Sequence, residues 1–160
     1  IPISQMTREN GQVALYAQGG GALLDGRAYQ LGFQATGTIT PDMTLASGAL
    51  SGLTLDGTAV AMTPGGLLGG GALEAAFELR DTVAPQASAA ADALARDLVE
   101  RFQDPAVDAS LAPGDAGLFT DDGAAFDPLD EVGLASRLRL NPDVDPLAGG
   151  EAWRLRDGVG

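Results

Sequence analysis

Histidine, cysteine and lysine are all missing: His and Cys count zero among the 160 residues, and the nine basic residues are all Arg. Each absence removes a kind of chemistry. Without Cys there is no disulfide framework, no thiol nucleophile and no thiolate metal site. Without His the usual general base and the commonest transition-metal ligand are gone. Without Lys, Schiff-base chemistry and the phosphate-loop motif are both excluded. Ser residues have no base to activate them, and no nucleophile-elbow pattern occurs. Neither catalysis nor a cofactor is therefore expected within these residues. Aromatic residues are scarce at 5%, although the hydrophobic share is 45%. The core must come mostly from Ala, Leu and Val, which bury little area each at roughly 25 cal/mol per Å². No apolar run approaches the ~20 residues of a membrane span, and no basic, apolar leader opens the chain.

What is abundant is negative charge. Twenty-two acids against nine bases leave a net −13, a surface that repels phosphate backbones and anionic lipid head groups. Neither nucleic acid nor membrane is expected as a partner. The chain opens on Ile1-Pro2-Ile3 without Met and closes on Arg156-Asp157-Gly158-Val159-Gly160. It is expected to be a piece of a longer protein.

Residues 1–63 read as β-rich. Gln12 to Ala17 alternates in side-chain character, Gly19-Gly20-Gly21 supplies a turn, and Ala22-Leu23-Leu24 leads to a second turn at Asp25-Gly26. Tyr29 to Thr36 alternates again, with Tyr29, Leu31 and Phe33 on one face. Leu53-Thr54-Leu55 and Ala59-Val60-Ala61-Met62 flank Asp56-Gly57, a strong hairpin signal. A small antiparallel meander is expected.

Residues 64–104 change pattern. Leu73, Phe77, Ala84, Ala87, Ala91, Leu94 and Leu98, with Arg80 and Arg101 in sequence, are spaced 4,3,4,3,4,3,4,3. This is a heptad register, the mark of helices packed at shallow angles. Pro85 interrupts it, so a kink or break is expected near Val83-Ala84, giving a kinked helical hairpin that stops at Asp104-Pro105. Gly65-Gly66-Leu67-Leu68-Gly69-Gly70-Gly71 precedes the helix. It reads as a flexible joint with a helix start and not as a phosphate cradle, which the acidic surface disfavours.

Residues 105–160 are loop-rich and punctuated by Pro105, Pro113, Pro128, Pro142 and Pro146. Leu134 to Leu140 is the one segment expected to be ordered, as a short helix or strand, and Trp153 is expected to pack the tail. The architecture as a whole is α+β. Asp121, Asp122, Asp127, Asp130 and Glu131 could supply a carboxylate pair for glycoside hydrolysis, but a solvated acidic loop without aromatic platforms is the plainer reading. Asn141-Pro142-Asp143-Val144-Asp145 resembles the opening of a calcium loop, yet Pro146 and Ala152 stand where Gly and Glu are required. No metal site is assigned.

The most specific stretch is Gly70-Gly71-Ala72-Leu73-Glu74-Ala75-Ala76-Phe77-Glu78-Leu79-Arg80-Asp81, followed by Pro85. It resembles the FlgK family, flagellar hook-associated protein 1, the first of the hook–filament junction proteins. There a Gly-Gly pair opens a helix and an Arg-Asp pair precedes a Pro. Asp92, Leu94, Ala95, Leu98 and Phe102 sit where that helix carries like residues. Gly11 to Leu15, Leu23 to Gly26, Gly133-Leu134-Ala135, Asn141-Pro142 and Trp153 to Gly158 follow in the family's order. One departure concerns residues 103–132: the family usually continues with Asn, His and a Gly-rich Asp loop, where this chain has Gln103-Asp104-Pro105 and a shorter Pro-rich stretch.

The resemblance implies a structural adaptor subunit, exported by the flagellar secretion apparatus and placed outside the cell. Its implied partners are the hook protein and the second hook–filament junction protein, with self-association in the full-length protein. The fragment itself, without the polymerising termini, is expected to be a monomer. The implied packing seam is Leu73, Phe77, Ala84, Ala87, Ala91, Leu94 and Leu98, and the family-like motif is Gly70, Gly71, Arg80, Asp81 and Pro85. The alternative is a secreted acidic binding module, calcium-responsive or adhesin-type.

Overall fold

Eight short strands, one long helical stretch and several short helical turns make up the chain, in an α+β arrangement that a computed structural model describes from Ile1 to Gly160. The chain divides into two units, Ile1–Pro85 and Gln86–Gly160, each with its own core. The helical segment expected at 64–104 is shared between them.

In the first unit, β1 (Ile3–Thr7), β2 (Val13–Ala17) and β3 (Ala22–Leu24) form one antiparallel sheet in sequence order. A second is built from β4 (Leu31–Gly32), β5 (Leu53–Leu55) and β6 (Thr58–Val60). The expected single meander is therefore two. Asp56 and Gly57 both take positive φ, +50° and +79°, as a two-residue hairpin turn of the type favoured by strand twist requires. The expected strand from Tyr29 to Thr36 shortens to Leu31–Gly32. Around it, side chains replace the ladder: Gln30 N–H donates to Asp56, and Gln34 exchanges two bonds with the Ser51 hydroxyl. Ala17, Leu53, Leu68 and Phe77 are the buried core of this unit, with Leu23, Val60, Met62 and Leu73 against them.

The Gly-rich run is a packed turn and not the flexible joint expected. Leu68 is fully buried within it, Gly66 and Gly69 N–H close successive turns, and Gly21 N–H donates to the Leu67 carbonyl. A Cβ on Gly19 would lie 1.8 Å from the Gly66 oxygen, so the two glycine runs approach as only glycine allows.

The helix runs through α1 (Gly71–Glu78), a π turn (Leu79–Val83) and α2 (Ala84–Gln103). No hairpin forms, and the break expected near Val83-Ala84 is instead this wide turn. Ala84 N–H donates to the Leu79 carbonyl, five residues back, while its φ and ψ of −65° and −45° remain helical. The cause is Pro85, which cannot donate to the Asp81 carbonyl and crowds it. A π turn opens the ladder at that place and lets the helix continue.

In the second unit, Ala95, Val99, Phe126 and Leu134 are buried together, and Leu111, Val144 and Val159 form a smaller cluster. β7 (Phe119–Asp121) pairs with β8 (Leu138–Leu140), which follows directly on α3 (Leu134–Arg137). Leu134 to Leu140 is thus a helix and then a strand. Four of the five prolines of this segment share one device; Pro113 follows Ala112 and does not. Asp104, Asp127, Asn141 and Asp145 each precede a Pro, and each side chain accepts the N–H two residues on, at 2.8–3.0 Å. Pro presets φ and the side-chain oxygen closes the turn. The packing role expected of Trp153 does not hold: it is 51% exposed and donates to Glu151. The tail is fastened instead by Val159, whose N–H donates to Asp108, and by Arg154, which donates to the Val159 carbonyl.

Asp92 is 6% exposed and accepts the N–H groups of Gly133 and Ala135, both at 2.8 Å, so one carboxylate caps the start of α3. Asp92→Ala strands both donors and should destabilise the second unit by about 2–4 kcal/mol in urea unfolding. A loss under ~0.5 kcal/mol would show the cap to be dispensable. Asp108 is held below the usual carboxylate range by the Ser110 hydroxyl and the Val159 N–H. The unfolded chain binds this proton more tightly, so the contribution is complete above the ordinary Asp value of ~3.9 and lost as pH falls through the lower folded one. The Val159 amide resonance should shift in that acidic window; a transition centred near neutrality would refute the assignment.

Candidate functional site

The family-like motif and the heptad seam lie on the helix, and its start is set by two glycines. Gly70 and Gly71 have φ of +92° and +73°, values in which a side chain is strained. Added Cβ atoms there would meet Pro2 at 3.2 and 3.1 Å. Gly70 N–H donates to the Glu74 carboxylate, so the helix start, where an anion could otherwise sit, is occupied by the chain's own acid.

Arg80 and Asp81 form a forked pair, Nε to Oδ1 at 2.6 Å and a terminal nitrogen to Oδ2 at 2.9 Å. The other terminal nitrogen donates to the Ser51 carbonyl at 3.0 Å, and the guanidinium lies 4.7 Å from the centre of the Phe77 ring. Both side chains are mostly buried. The pair ties the helix to the segment entering β5 and covers the core aromatic residue. It borders an open apolar hollow of about 330 Å³ lined by Phe33, Leu53, Leu73, Ala76 and Phe77.

The seam residues take two environments. Phe77 is buried and Leu73 half-buried in the first core. Ala84, Ala87 and Ala91 are exposed, Leu94 is 75% exposed, and Leu98 is half-buried. Every residue from Thr82 to Ala91 is exposed, and none carries a charge. The face that α2 buries is Asp92, Ala95 and Val99. Each of these stands one residue after the seam positions 91, 94 and 98. Ala95 and Val99 lie outside the heptad seam, Ala95 being marked only by the family likeness, although Ala95, Val99 and Phe102 share helical spacing.

The candidate carboxylates are spread among structural duties. Asp121 pairs bidentately with Arg137, Glu131 pairs with Arg96, and Asp127 caps a turn. Asn141 and Asp145 of the calcium-like stretch cap turns as well. No three acids gather about a common point where a metal ion could sit. No family model, curated protein or solved structure matches the chain.

The Arg80 fork tests how far the motif is structural. Lysine keeps the charge but cannot reproduce the fork or stack flat on Phe77. Arg80→Lys is expected to destabilise the first unit by about 1–2 kcal/mol in denaturant unfolding. Stability equal to that of the parent chain would remove the clamp from the account.

Proposed function

We propose that this chain is a structural component of the bacterial flagellum, an adaptor subunit at the hook–filament junction that works by helix packing and without turnover. The observation that carries the reading is the exposed, uncharged stretch Thr82–Ala91 with the seam Ala84, Ala87, Ala91 and Leu94. Small side chains let a partner helix approach to about 8 Å. A helix face without charge gains little from water, and in a chain of net −13 it is where another acidic helix meets least repulsion. The family-like motif at Gly70, Gly71, Arg80, Asp81 and Pro85 leads into this stretch, with Pro85 inside it, and gives the reading its flagellar direction.

On this reading the partners are the hook protein and the second hook–filament junction protein, with self-association in the full-length protein. The place of work is outside the cell, after export through the flagellar apparatus. A cysteine-free chain suits passage in unfolded form, since no disulfide must be made or broken on the way.

Deleting the gene should leave hooks without filaments, with filament subunit lost to the medium. The parent gene should restore motility, and a copy with Ala87→Arg and Ala91→Arg should fail to restore it while the purified variant keeps the parent's circular dichroism. A motile deletion strain would refute the reading, and full rescue by the double variant would refute the seam.

A further inference from the structure

β1 is the free edge of its sheet, and its pairing shows which groups it leaves open. Gln18 N–H donates to the Pro2 carbonyl and Arg8 N–H to the Gln12 carbonyl, at 3.0 and 2.7 Å. Ile3 faces Ala17 and Thr7 faces Val13 in the same register. In an antiparallel ladder the bonded pairs alternate. The even residues of β1 therefore bond to β2, and the N–H and C=O groups of Ile3, Gln5 and Thr7 point away from the sheet.

Proteins guard such edges with Pro, charge, a bulge or a covering segment. Ile3–Thr7 has none of these. It holds no Pro and no charged residue, its pairing with β2 is regular, and all five residues are exposed, Ile3 at 58% and Met6 at 59%. The strands β2 and β3 carry no charged residue either. In a chain of net −13, most surfaces repel a second copy; this sheet does not.

We propose that the β1 edge pairs with the β1 edge of a second copy, antiparallel about a two-fold axis at Gln5. That register is self-complementary. It sets Ile3 opposite Thr7 and Ser4 opposite Met6, and it closes about six backbone hydrogen bonds from the three outward residues of each strand. Ile3 and Thr7 are β-branched, a favourable cross-strand pair. No like charges meet along the strands. The dimer is isologous and closed, and the small area of a single strand edge makes it weak. The monomer therefore dominates in dilute solution.

Sedimentation equilibrium from about 10 μM to about 1 mM tests this directly. The parent chain should pass from monomer to dimer across that range and form nothing larger. Gln5→Lys sets two like charges opposite each other and should weaken the dimer several-fold. It also lowers the net negative charge, so it should strengthen any non-specific association. Gln5→Glu should be weakened likewise, and mixing the two variants should restore a heterodimer. Gln5→Pro should abolish dimerisation with the circular dichroism unchanged, because the Gln5 N–H serves no bond within the sheet. A parent chain still monomeric at the top of the range overturns the proposal. So does a Gln5→Lys variant that dimerises as well as the parent, or a mixture that shows no heterodimer.

Discussion

Pro85 has no N–H to offer the Asp81 carbonyl, and much of the helix follows from that one missing donor. The backbone meets it by widening the preceding turn, with Ala84 bonded to Leu79 five residues back. One extra residue is taken up in that turn, and the helix continues to Gln103. Leu73 and Phe77 pack in the core of the first unit; in the second, α2 buries Asp92, Ala95 and Val99, with Leu98 half-buried. Ala84, Ala87, Ala91 and Leu94 lie in solvent, as does every other residue from Thr82 to Ala91. The heptad spacing of the sequence thus runs on through a stretch that packs against nothing within the chain.

With few aromatic side chains, the two cores cannot rest on large buried area, and the chain makes up the difference with backbone satisfaction. Its acids are central to this. Asp56, Asp92, Asp108, Asp127 and Asp145 each accept a backbone N–H, as does Glu74 at the start of the helix. No buried side-chain nitrogen or oxygen lacks a partner. Half of the puzzle of so acidic a composition lies here, since a carboxylate binds an amide more strongly than a neutral acceptor does. Close approach replaces bulk elsewhere: a Cβ on Gly117 would lie 2.0 Å from the Phe102 carbonyl oxygen, at the end of the helix where Phe102 meets Phe119 edge-on.

The parts of the fold legible in the sequence were those set by local chemistry. The α+β class, the hairpin at Asp56-Gly57, the helix span from Gly71 to Gln103 and the stop before Pro105 depend on a few neighbouring residues each. The parts that were not legible depend on partners distant in sequence. β1 and β7 are short and polar enough to look like loop, and they are strands because β2 and β8 lie opposite them. Tyr29–Thr36 alternates as a strand should, yet side chains from Asp56 and Ser51 take its hydrogen bonds. Trp153 is the one Trp and so invites a core role, but its indole finds a partner in Glu151 two residues away. At the candidate site, Arg80-Asp81 was legible as a motif. Its duty as a clamp on Ser51 and Phe77 was not, because those contacts cross to another element.

Charge also defines surfaces by its absence. Coulomb repulsion between exposed groups fades beyond a Debye length, about 8 Å at physiological ionic strength, so net charge alone does not bar association; what matters is which charges come within that distance. Thr82–Ala91 and the strands β1 to β3 carry none. Neither stretch is strongly hydrophobic, and either would pass for ordinary surface in a protein of balanced charge. Against 22 acids and nine bases they are the places where a helix or a strand can come into contact without bringing carboxylates together. An acidic surface interrupted in this way discourages wrong contacts over most of its area and leaves the permitted ones to backbone geometry and small side chains, which set register and distance more strictly than apolar bulk does.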